Sequence, residues 1–446
     1  MPLIQKQNLH TMKSITLKSL SAFLILCIFL FSSCKKDKCE QTVTYKKYVP
    51  FYMSLDELRS SVKSEPAQAL KKPGKIYLKG NYIFVNEVDK GIHIIDNTNP
   101  SSPQNIAFIN IPGNLDLAAV GNTLYADSYV DLLALDISNP NNVTVLRRVE
   151  NAIPQRSYTY GYTYDVNLGV VKEWQEKMVT EKLGTNCNTG QVYYYGGGGG
   201  PIMLEDAFAP TTNSGVTTYT PKSSPGIGGS TARFTIAGNA LYIVDQSNLH
   251  VYDISTSSNP QKISDKNIGW SIETIFPYQN HLFIGSSSGV YIYDNSNPLS
   301  PNYISTYSHI TACDPVTVED NYMYFTLSND APCHMGVNQL EVVDITDIAN
   351  PTMKATVPMT NPKGLGIDNK KLFICDSNDG LKVYDATDVM NIGSHLLAHF
   401  SNINSHDVIP FNNRLLMIGD DGLYQYDYSN VENISLLSKI PVTPNP

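Results

Sequence analysis

The chain has 446 residues, of which 16 % are charged, and it contains 28 tyrosines, 29 glycines and 26 prolines. Its formal net charge is −9, and no basic stretch lies beyond the N-terminus and its flank, so a nucleic-acid partner is not expected. Low charge together with many turn-forming residues favours an all-β protein with short strands.

A lipoprotein export signal is predicted at residues 1–33. Lys13 and Lys18 supply a basic segment, residues 20–31 are nearly all apolar, and two serines precede Cys34. The apolar run is too short to span a bilayer comfortably. We therefore expect cleavage before Cys34 and acylation of this residue, with a cleaved soluble form and a retained membrane anchor as the alternatives.

Residues next to this signal predict the place of anchoring. Phe31 departs from the usual pattern, which has leucine at that position. Lys35, Lys36 and Asp37 resemble the charged signal that sends some gram-negative lipoproteins to the outer face of the outer membrane. We expect a surface-exposed protein of the cell envelope that is held in outer-membrane lipid through Cys34.

Residues 34–74 are predicted to form an N-terminal tether with one short helix. Ser54 followed by Glu57 matches a capping box, in which the serine begins the helix. The tether leads into the repeated part of the chain, residues 75–443.

One pattern recurs seven times between residues 75 and 443. Each unit has a strand, a turn such as Gly-Asn, a strand with an aromatic residue, and an apolar strand that ends in aspartate. A unit near 40 residues with about four strands is the signature of a β-propeller blade. One four-stranded sheet cannot bury both faces alone, so we expect seven blades stacked in a ring. The aspartates lie 40, 117, 41, 50, 41 and 42 residues apart, at Asp96, Asp136, Asp253, Asp294, Asp344, Asp385 and Asp427.

The repeated aspartates have a simple structural explanation. An aspartate at the end of a strand accepts backbone N–H groups from the turn that follows, as in an Asx turn. Seven such residues could also suggest metal ligands, but turn chemistry repeated in each blade is the favoured interpretation.

Two segments identify the repeat. Residues 133–140 (Leu-Ala-Leu-Asp-Ile-Ser-Asn-Pro) and 340–345 (Leu-Glu-Val-Val-Asp-Ile) resemble the LVIVD repeat, a propeller-forming repeat of bacterial surface proteins. The resemblance covers residues 76 to about 440, apart from one insertion. It implies the propeller fold, and it implies no catalytic residue, because that family has no general catalytic motif.

Two insertions are predicted to lie on the same face of the propeller. If strands a to d of each blade run outward from the axis, the d–a and b–c connections share one face. The large insertion, residues 151–230, is a d–a connection between the second and third repeats, and the small insertion, residues 328–339, is a b–c connection. Loops on a rigid scaffold commonly form binding surfaces, so this face is the predicted binding face.

Aromatic residues in the large insertion are candidate ligand contacts. Tyr160, Tyr162 and Tyr194 belong to its tyrosine clusters. A short amphipathic helix is predicted over residues 169–183, with Trp174 on its apolar side. These rings can stack on a sugar or a peptide, whereas packing of the tyrosines against the blades is the alternative.

The cysteines predict one disulfide. Cys333 lies in the small insertion and Cys313 lies just before strand a of the same repeat, so antiparallel strands bring them close. A bridge between them is expected in an oxidising compartment, and two free thiols are the alternative. Cys375 ends a buried-type strand and is expected to be a core thiol. The spacing leaves the pairing of Cys39 and Cys187 open.

Polar residues at the start of several strands a should line the mouth of the central channel. Asp116, Glu273 and Asp314 could hold a cation such as calcium. His406 and Asp407 could serve acid–base chemistry. Ordinary channel polarity explains the same residues.

Two functional hypotheses follow from these features. The first is a non-catalytic envelope scaffold without a cofactor, which binds a glycan, a peptide or an envelope protein on the predicted binding face. The alternative is a metal-dependent hydrolase or lyase that acts at the channel mouth. No His-Glu-x-x-His or Cys-x-x-Cys motif is found, which favours the first.

Overall fold

Short runs of apolar, β-branched and aromatic residues bounded by turn residues produce almost exclusively strands in the computed structural model, which describes residues 39–154, 167–185, 225–309, 315–329 and 337–443. The first elements are β1 (Cys39–Met53), α1 (Leu55–Ser60) and β2 (Lys63–Pro66). Blade 1 contains β3 (Pro73–Lys79), β4 (Tyr82–Glu87), β5 (Gly91–Asp96) and β6 (Gln104–Asn110). Blade 2 contains β7 (Leu117–Val120), β8 (Thr123–Ser128), β9 (Asp131–Asp136) and β10 (Thr144–Val149). The described parts of the large insertion add β11 (Val170–Thr185) and β12 (Ile227–Gly228).

Five further blades follow in chain order. Blade 3 contains β13 (Phe234–Ala237), β14 (Ala240–Val244), β15 (Asn248–Asp253) and β16 (Gln261–Asn267), and blade 4 contains β17 (Ile272–Tyr278), β18 (His281–Ser286), β19 (Gly289–Asp294) and β20 (Asn302–Ser308). Blade 5 contains β21 (Val316–Glu319), β22 (Tyr322–Leu327), β23 (Gln339–Asp344) and β24 (Thr352–Pro358). Blade 6 contains β25 (Leu365–Asp368), β26 (Lys371–Cys375), β27 (Leu381–Asp385) and β28 (Leu396–Phe400), with a 3-10 helix at Val389–Ser394. Blade 7 contains β29 (Ser405–Phe411), β30 (Arg414–Gly419), β31 (Gly422–Asp427) and β32 (Ser435–Pro441), with a 3-10 helix at Val431–Asn433.

The seven antiparallel blades form a closed ring, which confirms the predicted fold class. In each blade the strands are hydrogen-bonded in the order a, b, c, d, and β2 and β12 extend the sheet of blade 1 at its two edges. The innermost strands contact one another in chain order, and β29 of blade 7 contacts β3 of blade 1. The segments that enter the first blade and leave the last one also meet, because Leu70 pairs with Val442 and the Thr443 amide donates to the Leu70 carbonyl at 2.7 Å.

The hydrophobic core lies between neighbouring blades. One cluster joins Tyr324 of blade 5 to Leu372 and Ile374 of blade 6. Another joins Phe373 of blade 6 to Met417 of blade 7. Each sheet is thus covered on both faces only by its neighbours, which is the burial argument that predicted the ring.

All seven repeated aspartates form the predicted Asx turns. In each blade the carboxylate that ends strand c accepts the backbone amide of the residue two positions later. These hydrogen bonds hold the pKa of the Asp136 and Asp427 carboxyls below their usual range. The amide–carboxylate distances are 2.8 to 2.9 Å, for Asp96, Asp136, Asp253, Asp294, Asp344, Asp385 and Asp427.

The predicted helix at Ser54 is present and docks beside blade 2. The Ser54 hydroxyl accepts the Glu57 amide at 3.2 Å, and Leu58 is fully buried. Arg59 in the last turn donates to the Asp131 carboxylate at 3.1 Å. No helix in the described part of the chain is long and apolar enough to cross a membrane.

The helix predicted over residues 169–183 is wrong, because this segment is strand β11. It pairs with β1 in a two-stranded sheet. The apolar spacing that suggested a helix also contains many β-branched residues, which fit a strand once a partner strand supplies hydrogen bonds. That partner lies more than a hundred residues earlier in the chain, so local spacing could not reveal it.

Two compact units divide the described residues. Residues 39–51 and 174–185 form one unit, and the remaining described residues form the other. In the first unit, the Lys46 ammonium lies 2.7 Å from the Glu176 carboxylate. The Thr44 and Thr180 hydroxyls are hydrogen-bonded at 3.0 Å. The second unit contains the propeller.

Candidate functional site

An axial cavity of about 530 Å³ lies where the innermost strands begin. Its wall comes from six blades, all except blade 2. Most wall residues lie at or just before the start of strand a, and Ser328 lies at the beginning of the small insertion. The cavity therefore opens on the predicted binding face. Its charged and imidazole side chains are Lys75, Arg233, Glu273, Lys363, His406 and Asp407.

The returning end of the large insertion lies inside the ring. Within residues 225–232, here called the axial segment, β12 pairs with the inner edge of β3 of blade 1. The Gly226 amide donates to the Ala119 carbonyl of blade 2 at 3.0 Å. The Ala232 carbonyl accepts the Ile275 amide of blade 4 at 2.9 Å. Main-chain hydrogen bonds thus fix the segment to three blades.

Side chains of the axial segment extend these contacts to blades 6 and 7. The Ser230 hydroxyl accepts the Leu365 amide at 2.8 Å and donates to the Asp407 carboxylate at 3.2 Å. The Thr231 hydroxyl donates to the same carboxylate at 2.6 Å. Burial raises the pKa of Asp407 above its usual range. Asp407 is therefore engaged in holding the axial segment.

His406 and Asp407 do not form an acid–base pair. They are adjacent in strand β29, whose register shifts between Ser405 and Asp407, so regular alternation does not hold at His406. The His406 Nε2 atom lies 2.5 Å from Asp420 Oδ1, at the end of strand b of the same blade. The two residues proposed for the alternative enzyme function are thus directed to different partners.

Asp116 is a buried carboxylate beside the axial segment. It accepts the Arg233 amide at 2.5 Å and the Leu117 amide at 2.7 Å. Burial raises its pKa to about 6, against the opposing effect of the nearby Lys75 ammonium, and the Asp127 carboxylate adds to the rise. The oxygens of Asp116 are thus directed at protein donors.

The calcium hypothesis stays a prediction. Arg233 donates through Nε to the Glu273 carbonyl at 3.2 Å, so Glu273 is placed next to a cation. Asp314, the third proposed ligand, lies outside the described residues. Among the residues that the structure describes, no group of three His, Cys, Asp or Glu side chains is arranged to hold a metal ion.

The buried Asp116 predicts a specific pH dependence. Its folded pKa near 6 lies above its ordinary value of 3.8, so ionisation opposes folding, and stability falls as pH rises from about 4 through 6. We expect the difference in melting temperature between pH 5 and pH 7.5 to shrink in Asp116→Asn. Burial also raises the pKa of Asp407, so its ionisation opposes folding in the same way. The Asp116→Asn variant should therefore keep part of the pH dependence of stability.

Asp136→Asn is the matched control for this measurement. The Asp136 pKa is lowered by its turn hydrogen bonds, so its contribution to stability is lost only as pH falls below about 4. The pH 5 to 7.5 difference should be unchanged in this variant. An equal melting-temperature difference between pH 5 and pH 7.5 in wild type and Asp116→Asn would contradict the raised pKa of Asp116.

Several predicted site residues lie outside the described part of the chain. Trp174 is within the described part and lies half-buried in β11. Cys375 is a buried free thiol, as predicted, and burial raises its pKa. The lipidation site, the proposed disulfide and the tyrosine candidates are not among the described residues: Cys34, Cys313, Cys333, Tyr160, Tyr162 and Tyr194.

Sequence reasoning missed the axial segment. Its sequence, Pro-Gly-Ile-Gly-Gly-Ser-Thr-Ala, reads as the end of a loop. The signal that could have identified it is the run of small residues, because only small side chains fit inside a ring of closely spaced strands. Asp131 was also missed, since a lone aspartate at a strand start carries no distinctive pattern.

Four segments of the chain match a known repeat family. The LVIVD repeat model matches residues 72–108, 115–150, 228–265 and 312–358. A search of curated proteins gives no match.

Three similar solved structures have TM-scores below 0.5. The computationally designed Ika8 protein is 10 % identical, with a TM-score of 0.47 and coverage of 84 % of this chain and 90 % of that one. BamB from Moraxella catarrhalis is 8 % identical, with a TM-score of 0.48 and coverage of 87 % and 99 %. PorZ from Porphyromonas gingivalis is 12 % identical, with a TM-score of 0.45 and coverage of 85 % and 39 %.

Proposed function

Because this chain carries LVIVD repeats in a seven-bladed propeller, we propose that it is an exported, lipid-anchored scaffold that binds a partner on the face where the axial cavity opens. The lipid anchor is Cys34, the compartment is the outer face of the outer membrane, and the partner is a glycan, a peptide or an envelope protein. The function requires no cofactor.

One observation carries the proposal. A cavity of about 530 Å³ lies on the face to which both insertions connect, and hydrogen bonds to protein donors engage its buried carboxylate Asp407. This volume falls in the range of about 300–1,000 Å³ that small-ligand sites occupy. A general base needs a carboxylate or imidazole directed at the substrate, whereas the Asp407 carboxylate accepts hydrogen bonds from Ser230 and Thr231. Binding without catalysis is therefore the function that this arrangement supports best.

Cross-linking in the cells that produce the protein tests the proposal. The full-length chain is expressed in the presence of an alkynyl palmitate, and cross-linked glycans and proteins are recovered with it. We expect lipid label and membrane association in wild type and Cys39→Ser, and loss of both in Cys34→Ser. We expect recovery of the partner to fall at least tenfold in Glu273→Lys, at the cavity wall.

Asn280→Lys is the control for the binding face. Asn280 is an exposed residue in an a–b turn, on the opposite face of blade 4. This variant should keep its partner, and thermal melts should show both variants folded. Equal recovery by Glu273→Lys and Asn280→Lys would contradict the proposed binding face, and label on Cys34→Ser would contradict the proposed anchor.

A further inference from the structure

Trp270 is the most exposed large apolar side chain in the described part of the chain, with 64 % of its surface accessible. It lies in the d–a connection between β16 and β17, on the face where the axial cavity opens. Tryptophan is mostly buried in folded proteins, so an exposed one on a candidate binding face needs an explanation.

The two residues that flank Trp270 both have positive φ angles. Ser271 has φ +54°, which non-glycine residues rarely adopt. Gly269 has φ +150°, which residues with a Cβ rarely adopt, and a Cβ at this position would lie 2.5 Å from the Tyr291 hydroxyl. Backbone strain of this kind persists where the surrounding structure enforces it, and it is concentrated at functional positions.

Main-chain hydrogen bonds anchor this connection on both sides. The Ile268 amide donates to the Ser247 carbonyl at 2.9 Å, and the Ile272 amide donates to the Gln246 carbonyl at 3.0 Å. The Ser271 carbonyl accepts an amide from the b–c turn of blade 4 at 3.0 Å. The indole is therefore presented by a rigid loop, so little conformational entropy is lost when it contacts a ligand.

Trp270 is close to the cavity along the chain. Glu273 and Thr274, in the strand β17 that follows Trp270, line the cavity. Three residues span at most about 11 Å, so Trp270 lies within that distance of Glu273 along the backbone. Nine of the fourteen cavity-lining residues have side chains that donate or accept hydrogen bonds. The site therefore combines one flat aromatic surface with a polar, partly charged cavity.

This combination fits a saccharide better than a protein surface. A pyranose ring has an apolar face for the indole, and its hydroxyls match a wall rich in donors and acceptors. A protein interface needs a core of several apolar residues. Most other exposed large apolar side chains of the described blades lie in the outermost strands, as Ile263, Tyr303 and Met353 do.

We propose that Trp270 is the stacking platform of a saccharide-binding site that extends into the axial cavity through Glu273, Thr274 and Arg233. This inference rests on the proposed binding function of that face. It names the ligand class and moves the aromatic contact from the insertion to the propeller itself.

Tryptophan fluorescence tests the site directly, because the chain has only two tryptophans. In full-length Trp174→Phe, Trp270 is the only tryptophan, and excitation above the tyrosine absorption band isolates its emission. Cellotetraose, N,N′,N″,N‴-tetraacetylchitotetraose and trigalacturonate serve as neutral, amide-bearing and acidic probes. We expect a saturable change in Trp270 emission with at least one of them at millimolar concentration or below.

Calorimetry with the responding sugar then assigns the contact. We expect Trp270→Ala to weaken binding at least tenfold and Trp270→Phe to weaken it less. Tyr303→Ala removes a 59 % exposed aromatic residue from the outer strand of blade 4 and should leave affinity unchanged. Absence of a saturable response to all three sugars, or unchanged affinity in Trp270→Ala, overturns the inference.

The two proposals fail in different ways. If the sugars do not bind but partner recovery still depends on Glu273, the binding face stands and the saccharide inference falls. If Trp270-dependent sugar binding is found in a protein that is neither lipid-labelled nor cross-linked, the saccharide inference stands and the proposed envelope scaffold falls.

Discussion

Replacing Gly229 by alanine should lower the free energy of unfolding by about 2–3 kcal/mol, because it overpacks the axial segment. A Cβ at residue 229 would lie 2.0 Å from Asp407 Oδ2 and 2.6 Å from Asp407 Cγ. Asp407 cannot simply move away, since its carboxylate is 3 % exposed and accepts hydrogen bonds from Ser230 and Thr231. Urea unfolding followed by far-ultraviolet circular dichroism measures the loss.

The neighbouring glycine provides the matched control. A Cβ at Gly228 would meet Ala232 and Tyr77 at 3.4 Å, which is ordinary van der Waals contact. Gly228→Ala should therefore change the free energy of unfolding by less than about 0.5 kcal/mol. If both variants lose the same stability, the tight contact between the axial segment and Asp407 is not what limits this position.

The axial segment matters because the ring has no strand shared between its first and last blades. Blade 1 is built from β3–β6 and blade 7 from β29–β32, so closure depends on contacts rather than on one mixed sheet. The axial segment reaches blades 1, 2, 4, 6 and 7 through hydrogen bonds and thus crosses the closure point. It also lies beside the cavity, since Thr231 is one of the wall residues.

The second large effect is expected at Asp131, where Asp131→Ala should cost about 3–5 kcal/mol of unfolding free energy. The Asp131 carboxylate is fully buried and accepts from Arg59 at 3.1 Å, from Arg148 at 3.0 Å and from the Asn151 amide at 2.9 Å. Its removal leaves Arg148, whose side chain is 13 % exposed, without the carboxylate that it contacts, and it leaves Arg59 paired with the exposed Glu150. Losing a buried partner is more unfavourable than losing an exposed pair.

Glu150→Ala is the control, because it removes a carboxylate that contacts the same arginine in solvent. Glu150 lies 3.0 Å from Arg59, but its side chain is 61 % exposed. An exposed ion pair of this kind contributes about 0–1 kcal/mol. Thermal or urea unfolding should separate the two variants clearly. Similar losses in both would show that burial of Asp131 is not the cause.

Prediction from sequence succeeded where the chain repeats itself. The aspartates that end strand c, such as Asp136 and Asp427, were interpreted correctly as Asx-turn residues because a carboxylate and an amide two positions later interact within one turn. The Ser54 cap succeeded for the same reason, since its hydrogen bond to the Glu57 amide spans three residues.

Prediction failed where the deciding contact is distant in sequence. The segment 170–185 has apolar residues at helical spacing, but pairing with Cys39–Met53 makes it a strand. His406 and Asp407 are adjacent in sequence, yet they have different partners, at a point where the register of strand β29 shifts.

The sequence by itself determined the number of blades, their boundaries and the turn chemistry, because each depends on spacings within one repeat of about 40 residues. Only the tertiary structure decided that the end of the large insertion passes inside the ring, that Asp407 and Asp116 are buried beside it, and that Trp270 lies on the face of the cavity. These outcomes depend on residues brought together from separate blades. Such contacts leave no periodic pattern in the chain, since each blade that lines the axial cavity contributes at most three residues to it.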